Sequence, residues 1–247
     1  MSIALLTDFG ESEYIGIMKG VIRKIAPKAD IIDLTHSITS HKIIEAAWVL
    51  YKSYRFFPKG TIFCVVVDPG VGTERQAIVI ETKKYKFIGP DNGVLWQAAV
   101  DDGIEGVVAL NTENASPTFH GRDVFAPAAA KLIAKSQDPL SLGMPTKLQQ
   151  RLDLVPLTPN RGVVVRIDNF GNIITNLPKP ITSATLEIRF GKIKETHKMK
   201  FCQTFAKGPF NQPFAIIGSS ETIEIALRNG RAANLFDVQA GTAVELL

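Results

Sequence analysis

Residues 61–75, Thr-Ile-Phe-Cys-Val-Val-Val-Asp-Pro-Gly-Val-Gly-Thr-Glu-Arg, constrain the fold more than any other stretch of the chain. Residues 61–67 form an almost unbroken apolar, β-branched run. A run this short, closed by Pro69-Gly70, predicts a strand buried on both faces rather than a helix. Such strands belong to sheets covered by helices, where ligands bind outside the carboxyl ends of the strands. Asp68 stands at that end, and Arg75 follows a few residues on. Gly72 lets the backbone come close to another segment. Taken alone, Asp68 admits two readings: a carboxylate in a binding cleft, or one that caps its own turn.

The flanking chain supports an α/β domain. Ile3–Leu6 predicts a short strand ending in Thr7-Asp8-Phe9-Gly10. Tyr14, Met18, Val21, Ile22 and Ile25 recur at helical spacing, predicting a helix over about 13–26 that Pro27 stops. A strand at 31–34 and a helix from Ser40 follow, with Ile43, Ala47, Leu50, Tyr51 and Tyr54 as its stripe. Further strands are predicted at 77–81, 86–88 and 107–110. Asp123 suits the N-cap of an Ala-rich helix, with Pro127 tolerated in its first turn. This alternation predicts a mainly parallel sheet with helices on both faces. We place this N-terminal domain at residues 1–153.

Leu154–Asn160, with Pro156 and Pro159, reads as a linker, here 154–161. Residues 162–247 contain short strands and little helix: 162–168, 172–176, 184–190, 193–201, 214–217, 222–227 and 242–246. Gly191-Lys192 fits a two-residue hairpin turn. This spacing predicts a smaller C-terminal β-barrel or sandwich. Apolar residues are 45% of the 247, enough for real cores. The formal charge of +4 is spread along the chain, which argues against a nucleic-acid partner. No stretch is long enough to span a membrane, and Met1-Ser2 leads straight into a strand without a signal peptide. Cys64 and Cys202, both in strand-like segments, read as reduced thiols of a cytoplasmic protein.

Four predicted strand ends carry Asp with Gly: Asp8 with Gly10, Asp68 with Gly70, Asp91 with Gly93, and Asp168 with Gly171. Together they predict a polar, acidic cleft. A metal site is the first alternative, but Mg²⁺ sites of this kind use phosphates as well, and no glycine-rich phosphate loop with Lys-Ser/Thr is present. His36, His41, His120 and His197 show no ligand spacing. Asp8-Phe9-Gly10 matches a kinase tripeptide, yet the other kinase signatures are missing. His120 lies just before a predicted helix N-terminus, where anions are favoured; a hydrogen-bonded structural histidine is the other reading. The residues themselves therefore lead to a small-molecule enzyme with an acidic cleft.

Five phrases occur in order: Thr7-Asp8-Phe9-Gly10, Val67-Asp68-Pro69-Gly70-Val71-Gly72-Thr73, Pro90-Asp91-Asn92-Gly93-Val94-Leu95, Thr118-Phe119-His120-Gly121-Arg122-Asp123 and Asp168-Asn169-Phe170-Gly171-Asn172. Together they closely resemble the S-adenosyl-L-methionine (SAM) hydroxide adenosyltransferase family, the adenosine-forming SAM hydrolases, relatives of the fluorinating and chlorinating SAM enzymes. The resemblance implies an N-terminal α/β domain, a C-terminal β-barrel, and a homotrimer with sites between neighbouring subunits. It implies hydrolysis of SAM to adenosine and L-methionine without metal or cofactor. The family's catalytic set falls on Asp68, Arg75 and His120. Its ribose-binding aspartate falls on Asp8, its adenine-facing asparagine on Asn172, and the aspartate near the methionine amine on Asp168. Phe119 would join the apolar wall, with Ser219 a methionine contact and Glu224 in the same wall. The pattern departs at Ser40-His41, where many members have Pro, and at Gly218-Ser219-Ser220-Glu221. A halogenase of the same family is the nearest rival, but there residues such as Tyr replace Asp68, and a carboxylate repels halide. A non-catalytic SAM or adenosine sensor is the rival from another class.

Overall fold

The computed structural model describes residues 1–134, 138–180, 185–191 and 195–247. The chain separates into two compact units, Met1–Asp153 and Leu154–Leu247. In the first, the elements run β1 (Ser2–Thr7), α1 (Glu13–Ile25), β2 (Asp30–Thr35), α2 (Ile43–Ser53), β3 (Ile62–Val66), β4 (Ala77–Thr82), β5 (Lys86–Pro90), α3 (Trp96–Asp102), β6 (Ile104–Leu110), α4 (Ala126–Ala134) and β7 (Gly143–Pro145). They form a seven-stranded sheet in the order β2-β1-β3-β5-β4-β6-β7.

The sheet is mixed. β2, β1, β3 and β5 run parallel, whereas β4, β6 and β7 pair antiparallel. The reason is local. β4 and β5 are joined by a tight turn, closed by the Thr82 N–H to Tyr85 carbonyl bond of 3.0 Å, and a link that short permits only a hairpin.

Alternation along the strands sorts the two faces. Ile3, Leu5, Ile62, Cys64 and Val66 pack with Met18 and Ile22 of α1 and the small residues Ala126, Ala128, Ala129 and Ala130 of α4. Phe63 and Phe87 point the other way and stack at 5.3 Å, with Tyr54, Phe57 and Tyr85 edge-on or tilted around them. Each fully buried phenylalanine contributes about 1.5–3 kcal/mol of transfer free energy. α2 is buried nearly all round from Glu45 to Leu50, more than its predicted stripe requires. α3, a short helix ended by Gly103 at φ +88°, and β7 are elements that the periodicity does not signal.

Asp123 does not cap α4. The helix begins as a π turn, Gly121–Phe125, whose N-terminal flank is His120. Pro127 has no N–H to give, and its ring crowds the carbonyl four residues back. The wider turn accommodates it, and Ala126 bonds instead to the Gly121 carbonyl.

In the second unit, β8 (Arg161–Ile167), β9 (Ile173–Pro178), β10 (Thr185–Phe190), β11 (Thr196–Phe201), β12 (Pro213–Ile217), β13 (Thr222–Leu227) and β14 (Ala243–Leu246) close a barrel in the order β10-β11-β12-β13-β9-β8-β14. Its interior holds Val164, Ile173, Leu177, Ile188, Ile223 and Ile225. Residues 154–161 are packed rather than loose at their start, since Leu154 is buried and its carbonyl accepts from Asn176 Nδ2 at 2.8 Å. The predicted Gly191-Lys192 turn and the ends of the two flanking strands include residues 184 and 192–194, which lie outside the described residues. Among the described residues no helix is long and apolar enough to cross a membrane.

Candidate active site

A cavity of about 530 Å³ opens at the carboxyl ends of β1 and β3, lined among others by Asp8, Asp68, Phe119 and His120. Asp68 is held where β3 leaves the sheet. Arg75 grips its carboxylate with both arms of the guanidinium: Nε donates to Oδ1 at 3.0 Å, and Nη2 donates to Oδ2. Both side chains are at least nine-tenths buried, at 5% and 10% exposure. This bidentate geometry is the strong form of a charge-assisted pair. Asp68 thus faces the cavity rather than capping its own turn with its side chain.

Arg75 also reaches His120. Its Nη2 lies 2.8 Å from His120 Nδ1. A guanidinium has no acceptor, so Nδ1 must accept, and the neutral ring carries its proton on Nε2. Burial, and next the Arg75 charge, hold the His120 pKa below its ordinary 6.5. Arg75 Nη1 is buried without a partner among the described residues, and the guanidinium lies 5.5 Å from the Phe125 ring centre.

Two features bring these loops together, one of backbone and one of side chain. Gly72 has φ +78°, and a Cβ there would stand 2.3 Å from the Pro117 carbonyl oxygen. The 68–75 loop can therefore lie directly on the 116–120 loop only because residue 72 has no side chain. Asp123 pins the second loop, accepting from the Ser116 N–H at 3.0 Å while Arg122 pairs with it.

Asp8 sits at the end of β1, where its Oδ2 accepts the His41 N–H at 2.8 Å. His41 adopts φ +65°, so the Ser40-His41 departure from the family pattern lies directly on this carboxylate. Phe9, Tyr14 and Phe119 form an edge-to-face trio with centroids 4.9–6.0 Å apart on the cavity wall. Tyr14 is 45% exposed, so it belongs to this wall and not to the core stripe that helical spacing predicts. Phe9, Ser12, Tyr14, Val71 and Arg122 are lining residues that pattern reading misses, although Phe9, Val71 and Arg122 stand inside the family phrases.

Asp91 departs from the acidic cleft. It is buried, and its carboxylate accepts the N–H groups of Gln149 at 2.8 Å and Gln150 at 3.3 Å. It faces a second cavity and not the one with Asp8 and Asp68.

In the second unit the Asp168–Asn172 loop is closed upon itself. Asp168 Oδ1 accepts the N–H groups of Phe170 and Asn172, and Oδ2 accepts Asn172 Nδ2 at 2.9 Å. Glu224 is buried nearby on β13. Burial, then the Asp168 charge, pushes its pKa up to about 7. Gly218 leaves room for it, since a Cβ there would lie 1.6 Å from Glu224 Oε1. Ser219 is exposed in the adjoining turn. Among the described residues no group of three or more His, Cys, Asp or Glu is placed to hold a metal ion.

Residues 3–143 match the family model described as the SAM hydroxide adenosyltransferase N-terminal domain, and residues 162–245 match the corresponding C-terminal domain. A protein of Methanocaldococcus jannaschii named (R)-S-adenosyl-L-methionine hydrolase is 34% identical, over 99% of this chain and 95% of its own length. One of the same name from Thermus thermophilus is 32% identical over 99% of both. The crystal structure of an uncharacterized conserved protein from Thermotoga maritima superposes with a TM-score of 0.89 at 34% identity, covering 99% of this chain and all of that one.

Proposed function

The chain belongs to the SAM hydroxide adenosyltransferase family, and from that premise we propose that it hydrolyses SAM to adenosine and L-methionine. The observation that carries the proposal is the unbroken chain Asp68–Arg75–His120, whose two ends, Asp68 and His120, line a nucleoside-sized cavity. SAM is a sulfonium cation, so the leaving group needs no further activation and no metal. The task left to the protein is to deliver water in line with the C5′–S bond. Positioning of this kind supplies up to ~7–11 kcal/mol of a barrier.

Asp68 holds the water by one hydrogen bond and takes its proton as the C5′–O bond forms. The C5′–S pair returns to sulfur, which leaves as the neutral thioether of methionine, and the proton passes on to solvent. Arg75 fixes the Asp68 rotamer from behind, and its charge stands against the carboxylate that holds the water. With Nδ1 occupied by Arg75, His120 orients the pair and offers an Nε2–H rather than acting as a base. Asp8 keeps one carboxylate oxygen beyond the His41 bond for the ribose diol, and the Phe9–Tyr14–Phe119 trio stacks against the nucleoside. Asn172, Asp168, Ser219 and Glu224 serve adenine and methionine from the second unit of a neighbouring subunit in a homotrimer. The 78% exposure of Phe170, beside Asn172, supports a covered interface there. Both cysteines are free and buried, which supports a cytoplasmic location.

Incubation with SAM in ¹⁸O-water containing a chelator tests the proposal. The label should appear in the 5′ hydroxyl of adenosine, and saturating chloride should give no 5′-chloro nucleoside. Asp68→Asn should lower turnover by ~10²–10⁴-fold, the range for a positioned acid–base group, with SAM binding retained. Unlabelled adenosine, a halogenated product, or binding without turnover in the native protein overturns the hydrolase reading.

A further inference from the structure

We propose that Asn92 is a positioning residue that holds both ends of the loop carrying the Asp68–Arg75 pair. The proposal rests on the hydrolase reading of that pair. The loop leaves the sheet at Val67, directly before Asp68, and re-enters it at Gln76, directly after Arg75. Asn92 Nδ2 donates to the Val67 carbonyl at 2.9 Å. The backbone N–H of its neighbour Asp91 donates to the Gln76 carbonyl at 2.9 Å. One dipeptide at the end of β5 therefore ties the residue before the carboxylate and the residue after the guanidinium.

Both ends of the Asn92 amide are engaged. Its Oδ1 accepts the Val94 N–H at 3.1 Å, which fixes which end of the side chain faces Val67. Val67 is completely buried, so its carbonyl has no water to turn to if the amide is lost. The dipeptide is itself anchored. The Asp91 carboxylate takes the Gln149 and Gln150 N–H groups, and a Cβ on Gly93 would meet Leu152 Cβ at 2.9 Å.

Asn92 does not line the cavity that contains Asp8 and Asp68. It lines a separate one, of about 610 Å³, with Gly70, Glu74, Arg75 and Asp91. The Asp68–Arg75 pair spans the two, Asp68 facing the first cavity and Arg75 the second. Asn92 thus supports the pair from the side away from the nucleoside, where it acts on geometry and touches no ligand. An aspartate in its place would set a carboxylate oxygen against the Val67 carbonyl, two acceptors with no proton between them.

The test compares Asn92→Asp and Asn92→Ala with Tyr85→Phe in the full-length protein. Tyr85→Phe removes one hydrogen bond of similar kind, to the Phe57 carbonyl, at the other end of β5. Both Asn92 variants should lose roughly tenfold to hundredfold in kcat, the cost of a misplacement on the order of an ångström. KM for SAM should stay within about twofold, because the lost interaction serves the transition state only. Tyr85→Phe should lower Tm with kcat unchanged. In Asn92→Ala the imidazole titration of His120, followed by NMR, should move upward as the Arg75 contact slackens. Wild-type kcat in both Asn92 variants with an unmoved His120 titration overturns the proposal, as does a loss of kcat equal to that of Tyr85→Phe. A native protein that releases no adenosine overturns the hydrolase reading instead, and the His120 titration then decides the positioning role alone. Asn92→Ser, which keeps a short donor, carries the same readouts if either variant does not fold.

Discussion

The two nitrogens of His120 do different work, and the difference sets a pH dependence. Nδ1 accepts from Arg75, so protonation there would place two N–H groups face to face and break the Arg75–His120 contact. The folded-state pKa lies below 6.5 through burial and the nearby guanidinium. Below that depressed value the ring is charged, and above it the ring is neutral and the contact intact. Turnover should therefore fall on the acid side, along a limb centred below 6.5. A kcat profile whose acid limb is centred above 6.5 would assign the limb to another group. His120→Asn, which keeps an acceptor for Arg75, should remove an acid limb due to the ring. Asp68, Arg75 and His120 each stand in phrases readable from the chain, but their contacts are not. A guanidinium that bonds a carboxylate with two nitrogens and an imidazole with one of the same two is a fact of three-dimensional placement.

At the scale of elements, the loop after β3 depends on one missing side chain. Gly72→Ala puts a Cβ 2.3 Å from the Pro117 oxygen on a backbone at φ +78°. A non-glycine residue in such a region costs about 1–3 kcal/mol before the clash is counted. Denaturant unfolding should show a loss of at least that size. Because relief requires the 68–75 and 116–120 loops to part, kcat should fall as well. A variant that loses stability with full kcat would show that the loops separate without disturbing Asp68 and His120. The π turn at Gly121–Phe125 is a second such element. Pro127 reads as a tolerated first-turn residue, and the turn widens because its ring occupies the space of a normal helical carbonyl. Periodicity detects the helix that follows and not the wider turn, because the buried alanines all lie in α4.

For the whole molecule, the proposed site draws Asp8 and Asp68 from the first unit and Asp168 and Asn172 from the second. The trimer reading makes these contributions come from different subunits. Asp68→Asn and Asn172→Ala proteins, each inactive alone, should then recover part of the activity once mixed and allowed to exchange subunits. Exchange demonstrated by mass spectrometry without recovery would mean that one chain supplies both halves of each site. Size in solution, measured beside it, checks the trimer directly.

The sequence by itself determined the α/β class of the first unit, the all-β character of the second and the family, because these follow from short-range pattern. Buried β-branched runs, helical spacing and turn residues are local, and five phrases in order are specific without any contact being known. Only the tertiary structure decided that β4 turns back against β5, that Asp91 braces the fold instead of joining Asp8 and Asp68, and that Tyr14 faces a cavity. Those outcomes turn on which distant segments supply hydrogen-bond partners. A buried carboxylate looks the same in the chain whether two backbone N–H groups or a ligand will satisfy it. The choice is made when Gln149 and Gln150 arrive beside Asp91, and Arg75 beside Asp68.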